Sequence, residues 1–288
     1  MASVKDLRRR IKVVKNIAKI TNAMKMVASA RLRKAQEQAE AARPYAEKIY
    51  EVMLNLADSA GSIEHPLLEV RPEKKIAYVI IGAERGLAGS YNANVMNRAL
   101  YTIKKHDKND DEHVRLFLVG RKAIAFYRKL PYDIEDTLEL SGNGVSFMDI
   151  KALTTKIRTM FETGELDAVY LVYSKFISPM KQEPTVVRVL PMVAPEKPIE
   201  AGTSDMIFEP NSEELLTKLL PKYVDTEFYQ AFVEAQASEQ GARMTAMSSA
   251  TKNAEEMIVN LTLEYNKARQ SAITSEILEI VAGAEALK

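Results

Sequence analysis

Residues 1–58 contain no glycine and a single proline, Pro44, and their small or apolar positions recur at a near-constant interval. From Ala28 through Leu32, Ala35, Ala39, Ala42, Ala46, Ile49 and Met53 to Leu56, the steps alternate four and three without a miss. That alternation keeps one stripe of a helix facing a partner, which is the seam of a coiled coil. Upstream, Val4, Leu7, Ile11, Val14, Ile17, Ile20, Met24 and Val27 step by 3, 4, 3, 3, 3, 4 and 3 and read as the same stripe with one phase slip. A single helix of this length reaches roughly 85 Å, beyond the depth of a compact domain, so it must leave its own globule. Pro44 has no backbone donor and is expected to kink or locally break it.

A second helical pattern starts near Asn211, with Asn or Ser as N-cap ahead of Glu213 and Glu214, and runs almost to the C-terminus. Pro221 threatens its first turns. Met247, Ala250, Ala254, Met257, Leu261, Tyr265, Ala268 and Ala272 step by 3, 4, 3, 4, 4, 3 and 4, and an unbroken helix here would span roughly 110 Å. Net charge is only +1, yet residues 1–34 hold eleven Lys/Arg against the single acid Asp6, while the last 78 residues hold twelve acids and seven bases. Two long helices of opposite charge, one at each end of the chain, are natural antiparallel partners in a rod. Their seams are rich in Ala, Met and Ser, so each layer buries little area and the rod needs outside support. Ile273, Ile277, Leu278, Ile280 and Val281 make the last turns apolar on more than one face before Ala282-Gly283-Ala284, and such a tip calls for a hydrophobic sleeve.

Between about 74 and 208 the period changes. Lys75–Gly82 is a β-rich apolar run closed by glycine, and similar runs occur at 114–119, 166–173 and 185–190. Helical stretches at about 91–106, 121–129 and 147–163 separate the first three, which predicts an open α/β (Rossmann-like) sheet, mostly parallel with an edge hairpin near 166–190. The stretch Pro191 to Pro198 leads out of it. The expected organisation is a coiled-coil helix over 1–60, a central α/β domain over 61–208 and a second coiled-coil helix over 209–288.

Absence of cysteine excludes disulfides and thiolate chemistry, and no apolar run approaches a membrane span of roughly 18 residues, which points to a soluble protein. A cleaved basic leader is not expected, because residues 1–60 continue one pattern. Gly82, Gly86 and Gly89 follow a strand and precede a helix, as in a dinucleotide-binding turn, but their spacing departs from that fingerprint and Gly120-Arg121-Lys122 replaces the acid expected after the next strand. Tyr101 and Lys105 have a dehydrogenase-like spacing on the wrong helix, and no Gly-Lys-Ser/Thr follows for a P-loop. The basic N-terminal helix would suit nucleic acid as well as an acidic protein. His65, His106 and His113 lack metal-ligand spacing, the Met24/Met26 and Met244/Met247 pairs read as packing residues, and Asp107 to Glu112 reads as a solvated loop.

Lys5–Ile11 (KDLRRRI), Lys19–Ala28 (KITNAMKMVA) and Glu264–Ile277 (EYNKARQSAITSEI) closely resemble the γ subunits of F-type ATP synthases. Ser238–Met244 (SEQGARM) and Arg85–Asn92 (RGLAGSYN) are similar to two further motifs of that family, so the resemblance covers essentially the whole chain. It implies a non-catalytic rotor shaft that stands in a head of three α and three β subunits. Its globular part would meet the ε subunit and the membrane c-ring on the cytoplasmic face of a bacterial membrane. No cofactor, metal, nucleic acid or small-molecule substrate is implied. By resemblance, Arg269, Gln270 and Thr274 meet catch loops of the head, Ile277 belongs to the sleeved tip, and Met24 and Arg243 face an acidic lever region of β. Phe208, Glu209 and Pro210 fall near the foot. Chloroplast members carry an inserted cysteine pair, so its lack here implies a bacterial form without thiol control.

Overall fold

A computed structural model describes residues 3–59, 65–106, 113–140, 146–192 and 212–285. The chain forms two compact units, one built from the residues up to Ala28 together with Met244 onward, the other from Ser29–Arg243. Helices α1 (Val4–Ser59) and α5 (Ser212–Glu285) pass through both. Ser3 starts α1 by accepting the Asp6 amide on its hydroxyl at 3.1 Å, an N-cap that satisfies one otherwise free donor.

In the first unit the two helices meet along a stripe of Leu7, Ile11, Val14, Ala18, Thr21, Lys25 and Ala28, of which Leu7, Val14 and Ala28 are buried and the others half-buried. These positions step by four and three throughout and run in register into Leu32, so there is no phase slip. Ile17 and Ile20, expected in the seam, face outward at 45% and 59% exposure, and Val27 is exposed as well. Small and polar side chains hold the seam because they let the helices approach closely. The Thr21 and Thr251 hydroxyls lie 2.8 Å apart across it, and each also donates to or lies near a carbonyl one turn back. A paired polar contact of this kind fixes register in an apolar stripe. On α5 the stripe is Met247, Thr251, Ala254, Ile258, Leu261, Tyr265, Ala268 and Ala272, which moves two expected positions, Ala250 and Met257, by one residue.

The second unit is built on a five-stranded sheet in the order β3-β2-β1-β4-β5. Strands β1 (Lys75–Ile81), β2 (His113–Val119), β3 (Asp133–Leu138) and β4 (Ala168–Ser178) are parallel, and β5 (Lys181–Leu190) closes an antiparallel edge hairpin with β4. Strand alternation sorts side chains into two layers. Ala77, Val79, Ile81, Phe117, Val169 and Leu171 face α4 (Phe147–Glu162) and the Leu220–Ala235 stretch of α5. Ile76, Tyr78, Ile80, Leu116 and Leu118 face α2 (Tyr91–His106) and α3 (Arg121–Tyr127). Apolar burial on both faces explains why β1 and β2 are continuous hydrophobic runs.

Three local expectations differ from the structure. Strand β3, sequence Asp-Ile-Glu-Asp-Thr-Leu, was not anticipated, because an edge strand paired only to β2 keeps one side solvated and tolerates acids. Pro44 does not break α1: it is exposed, so the carbonyl one turn earlier that its ring leaves unbonded can be hydrated. Nor does Pro221 break α5, whose first turns are held by α4 through Arg158, which donates to the Pro221 carbonyl at 3.3 Å.

Candidate partner-binding surfaces

In open parallel sheets ligands sit beyond the carboxyl ends of the strands, where the strand order reverses. Here that reversal flanks β1, and the glycine turn follows it. The crevice is filled by the chain's own α5. Tyr91, at the start of α2, donates its hydroxyl to the Ala235 carbonyl at 3.2 Å, and burial pushes that phenol's pKa far up. Arg243 is 7% exposed and donates to the carbonyls of Arg85 at 3.1 Å and Gly86 at 3.2 Å, while its third partner, the Glu239 carboxylate, lies at 2.7 Å. Burial raises the Glu239 pKa, and Arg243 opposes that rise. On the other side of the turn Glu84 accepts from Arg121 at 2.8 Å and from the Leu140 amide at 2.5 Å. Gly82 serves close packing of helix and loop, since a Cβ there would meet the Met96 Cε at 2.8 Å and Ala123 at 3.0 Å, and α5 lies against the glycine turn.

The expected contact residues do not form one site. Arg269, Gln270, Thr274 and Ile277 are all exposed on α5, with the Thr274 hydroxyl donating back to the Gln270 carbonyl at 2.9 Å. Met24 is half-buried on α1, one turn from Thr21, whose partner Thr251 lies about 18 residues before Arg269, or roughly 27 Å along the helix. Arg243 spends its guanidinium inside the second unit, as described above. Phe208 and Glu209 lie outside the described residues, as does Pro210. Sequence reading missed the outward apolar stripe Val13, Ile17, Ile20 and Val27, which it had assigned in part to the seam, and it missed Leu87 and Glu239. The stripe was detectable in principle, since Ala18, Thr21 and Lys25 continue the downstream interval in register.

From Ile273 to Ala284 every residue of α5 is exposed, including Ile273, Ile277, Leu278, Ile280 and Val281 at 46–71%. Near the middle of the paired helices, Lys19, Lys25 and Lys252 line a shallow cavity of about 360 Å³ with Asn22, Ser248, Thr251 and Glu255. Its cationic rim suits an acidic partner. Two of the histidines have local partners: His65 accepts the Leu67 amide, and His106 lies 3.8 Å from Glu73 beside Tyr170. Among the described residues no cluster of His, Asp or Glu could hold a metal, and no helix is long and apolar enough to cross a membrane.

The second unit also carries a pH-sensitive weakness. Burial raises the pKa of Glu227, which accepts from Tyr223, and of Glu234, which faces Tyr173, Gln230, Lys175 and Arg43. A carboxyl with a raised folded-state pKa stabilises the fold below its ordinary value near 4.5 and loses that contribution as pH rises through the folded value. Glu234→Gln, which fixes the neutral form, should therefore raise the thermal midpoint of the chain by a few degrees at pH 7.5 and hardly at all at pH 4. Equal shifts at both pH values in a melting series would refute this.

A family model described as ATP synthase matches residues 3–287. The chain is 48% identical over 283 residues to the ATP synthase gamma chain of Brevibacillus brevis, covering 98% of each, and 47% identical over 290 residues to that of Desulfitobacterium hafniense, covering all of both. Its fold is similar to a chain in the cryo-EM structure of the Euglena gracilis mitochondrial ATP synthase (OSCP/F1/c-ring, rotational state 3), with TM-score 0.68 and 18% identity over 99% of this chain and 94% of that one. A chain of the rotor of the same enzyme in rotational state 1 gives TM-score 0.63 at 18% identity, over 94% of this chain and 98% of that one. Sequence relatedness and fold agree along the full length, and the chain belongs to the ATP synthase γ chain family, the central-stalk subunits of F-type ATP synthases.

Proposed function

We propose that this chain is the rotor shaft that carries torque between an ion-driven membrane c-ring and an α/β catalytic head, coupling ion translocation to ATP synthesis or hydrolysis. The observation that carries this reading is the unpartnered apolar tip of α5, a surface that a water-filled setting would penalise and a protein sleeve would cover. Paired helices over 1–60 and 209–288 would form the shaft, and 61–208 the globular foot that meets the ε subunit and c-ring, with Phe208 and Glu209 near that contact. Arg269, Gln270 and Thr274 would meet the head's catch loops, Ile277 its sleeve, and Met24 with the neighbouring lysines an acidic lever of β. Long-range attraction holds a turning cationic surface without a fixed geometry. The shaft does no bond chemistry: it acts by contacting β subunits differently at each angle, which changes their nucleotide affinity. As a peripheral subunit it would work on the cytoplasmic face of a bacterial membrane, with no cofactor, nucleic acid or small-molecule substrate.

Co-expression with cognate α and β subunits should yield a complex of about three α, three β and one γ that hydrolyses ATP, while the isolated chain is inert. A chain that ignores α and β would overturn the proposal. Within that complex, Arg269→Ala with Gln270→Ala should lower ATP-driven rotation by about tenfold, as expected for losing 1–2 kcal/mol of contact at one bearing. Normal rotation by the double variant would remove those residues from the contact. Truncation before Ile277 should shorten the lifetime of the complex, and an unchanged dissociation rate would rule out the sleeve contact.

A further inference from the structure

Resting on the shaft reading, we propose that Arg243 and Glu239 are positioning residues: they lock the Arg85–Gly89 turn and so set how its exposed Leu87 meets the catalytic head. Leu87 has φ 63 and is 61% exposed. A leucine in the left-handed region persists only where its surroundings over-determine the backbone. Arg243 supplies that constraint. Its Nε and Nη2 donate to the Gly86 carbonyl at 3.4 and 3.2 Å, Nη2 reaches the Arg85 carbonyl at 3.1 Å, and Glu239, one turn back on α5, orients the fork at 2.7 Å. Ala235, one turn further back, accepts the Tyr91 hydroxyl, so one face of α5 grips both ends of the turn.

The helix is also seated tightly there, since a Cβ on Gly241 would come within 3.3 Å of the Pro179 Cα and 3.4 Å of the Phe176 ring. That seating against the hairpin fixes where α5 presents Arg243 and Glu239 to the turn. Arg85 in the turn and Lys122, whose Nζ lies 3.8 Å from where a Gly86 Cβ would stand, are both exposed, giving an apolar knob with a cationic flank that fits an acidic, partly apolar protein surface. Arg243 itself is hidden from any rigid partner, so its effect on the head must pass through the turn.

The role separates from direct charge attraction by an Arg-to-Lys exchange, because lysine keeps the charge and loses the planar fork that spans two carbonyls and a carboxylate. In the assembled α, β, γ complex, Arg243→Lys and Leu87→Ala should each slow ATP-driven rotation against viscous load by about threefold to tenfold, and the double variant should be no slower than the worse single one. Wild-type rotation by Arg243→Lys, or losses that multiply in the double variant, would overturn the proposal. Failure of the shaft reading has a different signature, namely no complex at all. Exchange of the Tyr91 amide, which donates to the Ala88 carbonyl of the turn at 3.2 Å, reads the lock in the full free chain without assembly. Glu239→Gln should speed that exchange by about tenfold, and unchanged protection would also overturn the proposal.

Discussion

Gly120→Ala should destabilise the second unit by about 3–5 kcal/mol, far more than one added methyl usually costs. Gly120 sits at the carboxyl end of β2 with φ 83, and an added Cβ would lie 2.3 Å from the Gly82 carbonyl oxygen and 2.9 Å from its carbon. Neither atom can swing away. The Gly82 amide donates to the Val119 carbonyl at 2.9 Å, the Gly120 amide to Leu138 at 2.8 Å, and the Lys122 amide to Ala83 at 3.0 Å. Relief would have to pull the ends of β1, β2 and β3 apart. Two other glycines calibrate the claim. Gly164 also has positive φ, 76, but its nearest neighbour would be the Arg71 side chain at 3.9 Å, so alanine there should cost only about 1 kcal/mol. Gly283 has open space around it near the end of α5, and alanine should leave stability unchanged or raise it by about 0.5 kcal/mol. Urea denaturation of the three variants should rank Gly120→Ala well below Gly164→Ala, with Gly283→Ala at or above the parent. Equal midpoints for the first two would mean that the strand ends yield more easily than their hydrogen bonds imply.

What could be read from sequence follows from how each element meets solvent. Strands β1 and β2 are buried on both faces and so spell themselves as apolar runs, whereas β3 is an acid-bearing edge and gave no such signal. Helix α1 was legible from the absence of glycine over residues 1–58, and both long helices from the heptad interval. Their upper seam was not, because the reading followed large side chains, Ile17, Ile20 and Val27, where packing selects Ala18, Thr21 and Lys25. Size marks a seam only where helices stand far enough apart to need filling. The proposed contact residues on α5 rest on family resemblance alone, since nothing in the spacing of Arg269, Gln270 and Thr274 sets them apart from a solvated helix face. The lock at Arg243 was invisible for another reason: a leucine with positive φ leaves no trace in sequence, and burial of an arginine depends on a loop 157 residues away.

Asp225→Ala should cost the second unit about 3 kcal/mol, the low end of the range for breaking a buried charge pair. Its carboxylate, 9% exposed, accepts from the Thr154 hydroxyl at 2.6 Å and from Arg158 at 3.4 Å. Thr154 has a fallback in the Lys151 carbonyl at 3.1 Å, and Arg158 retains the Pro221 carbonyl and the Glu162 carboxylate, so neither group is left wholly unsatisfied. That is why the estimate sits low. Asp225→Asn, which can still accept from Thr154, should cost about 1 kcal/mol. The pair ties α4 to α5 just past Pro221, where the ring has removed one intrahelical hydrogen bond, and the tie therefore holds the stretch of α5 that forms the core with Val224 and Phe228. A double-mutant cycle tests the coupling directly: with Arg158→Met in place, Asp225→Ala should cost at least 1 kcal/mol less than it does alone. Additive losses in thermal or urea unfolding would show that Asp225 stabilises α5 without Arg158, and the cross-helix tie would then have to be abandoned as the reason α5 survives its proline.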